Sequence, residues 1–274
     1  MKITASQVNE LRKKTGSGMM DCKRALVETE GDMDAAIDVL RKKGQKVAAK
    51  RQDRETSEGL VLAKTTADSK KGILVVLGCE TDFVAKNDEY SQLVNSFLTI
   101  AMDNNPANLE ELKAMKYNDS ITVEEKITEQ IGVIGEKLVL GYEVVEAEYV
   151  YAYNHPGNQI ATIVGLNKTG DFKEIALNVA LQITSMAPLA LSKEDISEEV
   201  IAKEIEIGKD LAIQEGKPAE MAEKIAMGRL NKFFKENTLL NQMMFMDNKK
   251  SVTQYLQGAD KDLTVSGFKR ISLS

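Results

Sequence analysis

A succession of strand, turn, strand and helix occurs twice in this chain, and that repetition restricts its fold more than any other feature. Leu60 to Lys64 and Ile73 to Leu77 read as strands around the polar turn Ala67 to Gly72, and the stretch reaching about Met102 carries Leu93, Phe97, Ile100 and Ala101 at helical spacing. Tyr149 to Tyr153 and Ile160 to Leu166 flank a second turn, Asn154 to Asn158. Thr169-Gly170-Asp171-Phe172 then opens a helix bearing Ile175, Leu177, Val179 and Leu181. An Asp-Phe pair stands where strand gives way to helix both times, at 82–83 and at 171–172. Two hairpin-plus-helix units point to an internal duplication, although the units share little identity beyond that pair.

Around these units the pattern is helical. Thr4-Ala5-Ser6-Gln7 has the form of a capping box, with Val8 and Leu11 as the apolar stripe of a first helix that Gly16-Ser17-Gly18 breaks. A second helix is expected from about Met20 to Gly31. Asp32 can cap a third, carrying Ala36, Ile37 and Leu40 and stopped by Gly44. The polar stretch from Gln45 to Glu58 reads as a helix extension or linker. Thr122 to Leu140 is predicted as a further helix, with Ile127, Ile131 and Ile134 on one face. Between Ser197 and Glu236 two helical arms meet at Gly216-Lys217-Pro218, a stop followed by a helix-compatible proline. The arms either pack only on each other or, because apolar residues cover more than one stripe, serve self-association. The expected divisions are 1–54, a helical N-terminal domain; 55–148, the first half of the core; 149–194 with 237–274, the second half and a short C-terminal segment; and 195–236, the helical hairpin.

Composition narrows the function classes. Hydrophobic residues make up 43% of the 274 positions, charged residues 28% and aromatics 5% with no Trp, a balance that favours a helix-rich folded protein over a disordered one. No apolar run approaches the roughly 20 residues of a membrane-spanning helix, and the opening Met-Lys-Ile-Thr-Ala-Ser lacks the apolar stretch of a signal peptide, so a cytoplasmic location and no membrane contact are expected. Cys22 and Cys79 form no close-spaced pair and read as buried small hydrophobes. With a net charge of −6 the chain is not expected to bind nucleic acid directly. The basic residues from Arg41 to Arg54 read instead as solvated cations at a helix C-terminus. A single histidine, His155, leaves no His-ligated metal site of the usual kinds and no Ser-His-Asp set, and both the phosphate-binding loop and the dinucleotide fingerprint are absent. The balance moves from enzyme towards binding or regulatory protein.

Phe83 has two readings. In one, Thr81 or Asp82 caps a helix and the ring folds back onto the core. In the other, the ring protrudes to anchor a partner protein, with Asp82 beside it.

The N-terminal run Thr4 to Val8, Leu11-Arg12 and Thr15 to Leu26, then Gly31-Asp32, resembles the opening of the bacterial elongation factor Ts family. Thr81-Asp82-Phe83-Val84-Ala85-Lys86 resembles its second signature. Ile131 to Lys137, Gly216-Lys217-Pro218, Glu223-Lys224-Ile225 and Gly228-Arg229 are further matches, in the family's order. The resemblance implies a ubiquitin-associated-like N-terminal domain, a duplicated α+β core and a coiled-coil dimerisation insert. It implies a guanine-nucleotide exchange factor that binds elongation factor Tu, in its GDP-bound and nucleotide-free forms, without bond chemistry or a cofactor; the alternative is a non-catalytic structural or scaffold protein of the translation apparatus. Asp82 and Phe83 are then expected near the partner's magnesium and phosphate site, Thr81 and Val84 beside them in the contact, and Met19, Met20 and Asp21 against its nucleotide domain. His155 occupies a turn where the family often has a histidine, although Pro156-Gly157-Asn158 departs from the commonest pattern. The C-terminus from Val265 matches only the start of the usual ending.

Overall fold

The first helix begins where its capping box predicts. In a computed structural model that describes residues 3–273, the Thr4 hydroxyl accepts from the Gln7 backbone N–H while the Gln7 side chain accepts from that of Thr4. Helices α1 (Ala5–Thr15), α2 (Met19–Glu28) and α3 (Met33–Lys50) follow, joined by short turns. Val8, Leu11, Cys22, Ala25, Leu26, Ala36 and Leu40 form their shared core. Met1, Lys2 and Ser274, which belong to the expected terminal segments, lie outside the described residues.

Gly44 does not stop α3, contrary to expectation. The helix continues to Lys50 because Gly44 is a contact point between helices: a β carbon there would collide with the carbonyl oxygen of Thr128. Thr128 lies on α7 (Val123–Ile134), which starts at a capping box of Thr122 and Glu125 and ends at Gly135, whose φ of 80° is a left-handed conformation that suits glycine. The helix predicted from Thr122 to Leu140 is therefore shorter, and its last residues belong to a strand.

That strand completes the first sheet. β1 (Glu58–Thr65), β2 (Lys71–Cys79) and β3 (Val139–Glu146) pair antiparallel in the order β1-β2-β3. Between β2 and β3 the chain forms the one-turn α4 (Asp82–Ala85), then α5 (Asp88–Asn104), α6 (Leu109–Ala114) and α7. The second sheet repeats the plan: β4 (Tyr149–Asn154) and β5 (Ile160–Leu166) form the hairpin, α8 (Lys173–Met186) follows, and β8 (Val265–Ser272) returns beside β5. Between α8 and β8 come the arms α9 (Glu198–Gln214) and α10 (Ala219–Asn237), the small hairpin β6 (Met243–Met244) and β7 (Asp247–Ser251), and α11 (Val252–Ala259). The segment after 237 is thus an integral part of the second half, supplying a strand and a helix to its core.

The two sheets pack face to face. Leu74, Val61 and Ala63 of one meet Val150, Ala161 and Ile163 of the other, while Ile73, Val75 and Leu77 turn to α5 and Phe97 on the opposite face. β2 is buried on both faces, which explains its unbroken apolar run. Close approach is allowed by Gly72, where a β carbon would come within 2.7 Å of the Val150 side chain. Asn154 bridges the sheets: its side chain accepts from the Ala63 N–H at 2.7 Å and donates to the Ala63 carbonyl at 2.9 Å. A third cluster beneath the second sheet joins Val164 and Leu166 to α8, α11 and Leu239. Both cysteines are buried and unpaired.

Candidate partner-binding site

The sequence after β2 cannot remain in the sheet, because Thr81 turns the chain into a helix of four residues. Its hydroxyl accepts from the Val84 N–H at 3.5 Å, so Thr81, not Asp82, is the cap. Along this one turn the side chains part company. Ala85 is buried and Val84 packs against the first core, whereas Phe83 is 83% exposed. Asp82 is also outward and is paired with Lys86 at 2.6 Å, which holds its carboxyl below the ordinary carboxylate range.

A helix this short does not stand alone. It is held from below by Glu136, whose carboxylate accepts from the Glu80 N–H at 3.0 Å, the Thr81 N–H at 3.1 Å and the Thr81 hydroxyl at 2.6 Å. Glu80 returns the contact. Its carboxylate accepts from the Lys137 N–H at 2.7 Å and from Arg51, at the end of α3, at 2.7 and 2.8 Å. These bonds, led by the one from Lys137, pull the Glu80 carboxyl below its usual range. Lys137 in turn donates to the carbonyls of Gln52 and Arg54. Sequence reasoning assigned no role to Glu80, Glu136 or Lys137, and it read Arg51 as a solvated cation, whereas Arg51 is paired with Glu80. Their partners are distant along the chain, and the only signal was that Glu136 and Lys137 end a stretch of family-like sequence.

Met19 and Met20 open α2 with more than half of each residue exposed, an uncommon placement for two adjacent large apolar side chains. Asp21 beside them is tied to Lys43 at 2.7 Å and Arg24 at 2.6 Å, and the Lys43 bond leads in lowering its pKa. The α1–α2 turn faces the start of α5: Gly16, Glu89 and Gln130 line one cleft, and Glu89, Gln130 and Val84 line the next. The two clefts share Glu89, Gln130 and Val133, so they adjoin between the turn before Met19 and Val84.

A sequence model of the family described as Elongation factor TS matches residues 80–274. Elongation factor Ts of Christiangramia forsetii is 52% identical over 99% of each chain, and that of Amoebophilus asiaticus 48% over 99% of each. The chain belongs to the elongation factor Ts family. A more divergent relative, elongation factor Ts of Chloroherpeton thalassium, is 41% identical with 96% of this chain and 93% of its own covered.

Within this elongation factor Ts framework His155 sits apart from the other candidates, in the turn between β4 and β5. It is exposed, with its Nδ1 3.1 Å from the Tyr153 hydroxyl. Its turn closes over the beginning of β1: the Asn158 carbonyl accepts from Val61, and Gln159 donates to Glu58 at 3.1 Å. α4 packs on the same strand, and the pKa of Lys86 is raised chiefly by Asp82 and also by Glu58. Among the described residues no helix is long and apolar enough to cross a membrane. Three cations of the basic stretch are engaged within the chain, Arg41 with Glu125, Lys43 with Asp21 and Arg51 with Glu80.

Proposed function

We propose that this chain is a guanine-nucleotide exchange factor for elongation factor Tu in protein synthesis. It binds GDP-bound Tu in the cytoplasm, disturbs the magnesium and phosphate site, and lets GDP leave so that GTP can enter. The observation that carries this reading is Phe83, a large ring held out in solvent by a turn whose root is fixed by Glu136. A ring with only a packing role would be inside. Asp82 stands beside the wedge, Thr81 and Val84 hold its base, Met19, Met20 and Asp21 form a second contact on the nucleotide domain, and His155 a further contact with the partner. In the same reading the N-terminal trio is the ubiquitin-associated-like module and α9–α10 the coiled-coil insert, with divisions near residues 54, 148, 195 and 236.

Exchange requires no covalent step. A protein that binds the nucleotide-free GTPase more tightly than the GDP-bound one weakens GDP by the same factor. Moving the Phe83 ring from water into an apolar pocket contributes about 1.5–3 kcal/mol. That is a shift of roughly 10- to 150-fold, so larger accelerations need the other contacts to drive the ring in and hold the site open.

Release of a fluorescent GDP analogue from purified Tu, followed by stopped flow, tests this. Acceleration by the wild-type chain that collapses in Phe83→Ala supports exchange through this wedge; a folded wild-type chain that leaves GDP release unchanged overturns it in favour of a structural member of the translation apparatus.

A further inference from the structure

We infer that Glu136 is a positioning residue for exchange, acting through Phe83 rather than on the partner. The inference rests on the exchange reading above and adds to it the group that makes the wedge stiff. The Phe83 side chain contributes almost nothing to holding its own turn, because the residue is 83% exposed. α4 is four residues long, with a cap bond of 3.5 Å, so its geometry has to be imposed from elsewhere. Glu136 imposes it. One carboxylate gathers two backbone N–H groups and the Thr81 hydroxyl, all at or below 3.1 Å, and charge-assisted bonds of this kind are roughly twice as strong as neutral ones. Glu136 is itself placed by Gly135, whose left-handed conformation ends α7 and turns the chain into β3.

The reciprocal bonds of Glu80 give the arrangement a second anchor. Glu80 holds the N–H of Lys137, the neighbour of Glu136, and also Arg51 at the end of α3. The Phe83 turn is therefore tied at once to the core and to the helix leading back to Met19 and Met20. When Glu136 is removed, the Glu80 and Thr81 N–H groups lose their acceptor and the turn gains conformations in which the ring points elsewhere. Seating the wedge then requires ordering it first, which slows nucleotide release, whereas contacts made by the rest of the surface remain.

The test is a double-substitution cycle on saturating GDP-release rates, with half-saturating concentrations measured in parallel. Glu136→Ala is expected to lower the saturating rate about tenfold while the half-saturating concentration moves less than about twofold. In a Phe83→Ala background the same substitution is expected to cause no further loss, because its effect passes through the ring. Additive losses, or a rate unchanged by Glu136→Ala in an otherwise active protein, overturn the inference. Glu136→Gln retains one acceptor oxygen and is expected to fall between wild-type and Glu136→Ala; if the alanine variant does not fold, the glutamine cycle decides. Amide hydrogen exchange supplies a readout free of Tu: protection at Glu80 and Thr81 should be lost in the alanine variant, and retained protection counts against the clamp. A wild-type chain without activity overturns the exchange reading itself, an outcome separate from additivity in an active one.

Discussion

Gly44 on α3 and Gly132 on α7 face each other with no side chain between them: a β carbon on Gly132 would lie 2.9 Å from the Gly44 α carbon. Two helices meeting backbone to backbone fix the angle between the N-terminal trio and the core. Arg51, at the end of α3, then joins that helix to the Phe83 turn through Glu80.

Alanine at position 44 tests the crossing. Helix propensity favours alanine over glycine by about 1 kcal/mol. A collision with the backbone of Thr128 cannot be relieved by a side-chain rotation, however, and overpacking of this kind costs about 1–3 kcal/mol. We expect Gly44→Ala to lower stability by up to about 2 kcal/mol, measured by urea unfolding. A more stable variant would show that α3 and α7 separate at little cost.

The two Asp-Phe pairs are expected to behave oppositely. Phe172 packs on the second core and its ring covers Gly170, whereas Phe83 points to solvent. Phe172→Ala should destabilise by roughly 1–3 kcal/mol, and Phe83→Ala should stay within about 0.5 kcal/mol of wild-type. Thermal unfolding of both variants checks this, and a large loss in Phe83→Ala would return that ring to a structural role.

Glu80 and Glu129 predict pH dependences of opposite sign. The Glu80 carboxyl is held below its unfolded value, first by the Lys137 N–H, so the unfolded chain binds more protons and stability falls as pH drops through the acid range. Glu129, beside Lys126 at 3.2 Å, is raised mainly by burial, so the folded chain binds more protons and its contribution fades as pH rises above the ordinary carboxylate value. Urea midpoints across pH 3–7, a window set by roughly normal carboxylate values, should flatten at the acid end in Glu80→Gln. In Glu129→Gln they should instead improve towards neutrality.

The helical hairpin poses the question of self-association. Gly208 lets α9 approach Ala226 of α10, and Arg229 pairs with Glu215 at 2.7 Å, so the arms are packed on each other. Val200, Ile207 and Leu211 still reach solvent. Self-association through residues 195–236 is a proposal that sedimentation of the full chain can decide. We expect a dimer that Ile207→Glu with Leu211→Glu converts to monomer; a wild-type monomer would leave the arms with each other as their only partner.

Much of the architecture was legible because local rules carry it. The capping box at Thr4, the stop at Gly16 and the strand alternation about each turn all act over a few residues, whereas the left-handed stop at Gly135 was read through as helix. The third strands were not legible. β3 and β8 earn strand geometry by pairing with β2 and β5, contacts that span tens of residues. Gly44 reads as a helix stop for the same reason, since only the backbone of α7 explains a glycine there. The sequence alone determined that an apolar ring and a carboxylate stand at a strand-to-helix corner; it left the direction of the ring open. Tertiary structure decided that direction: Phe83 stands outward on a corner whose backbone is bonded by Glu136, 55 residues away from Thr81. Nearest-neighbour chemistry writes helix ends and strand periods into the sequence, whereas the aim of one exposed side chain depends on hydrogen bonds that exist only once the chain has folded.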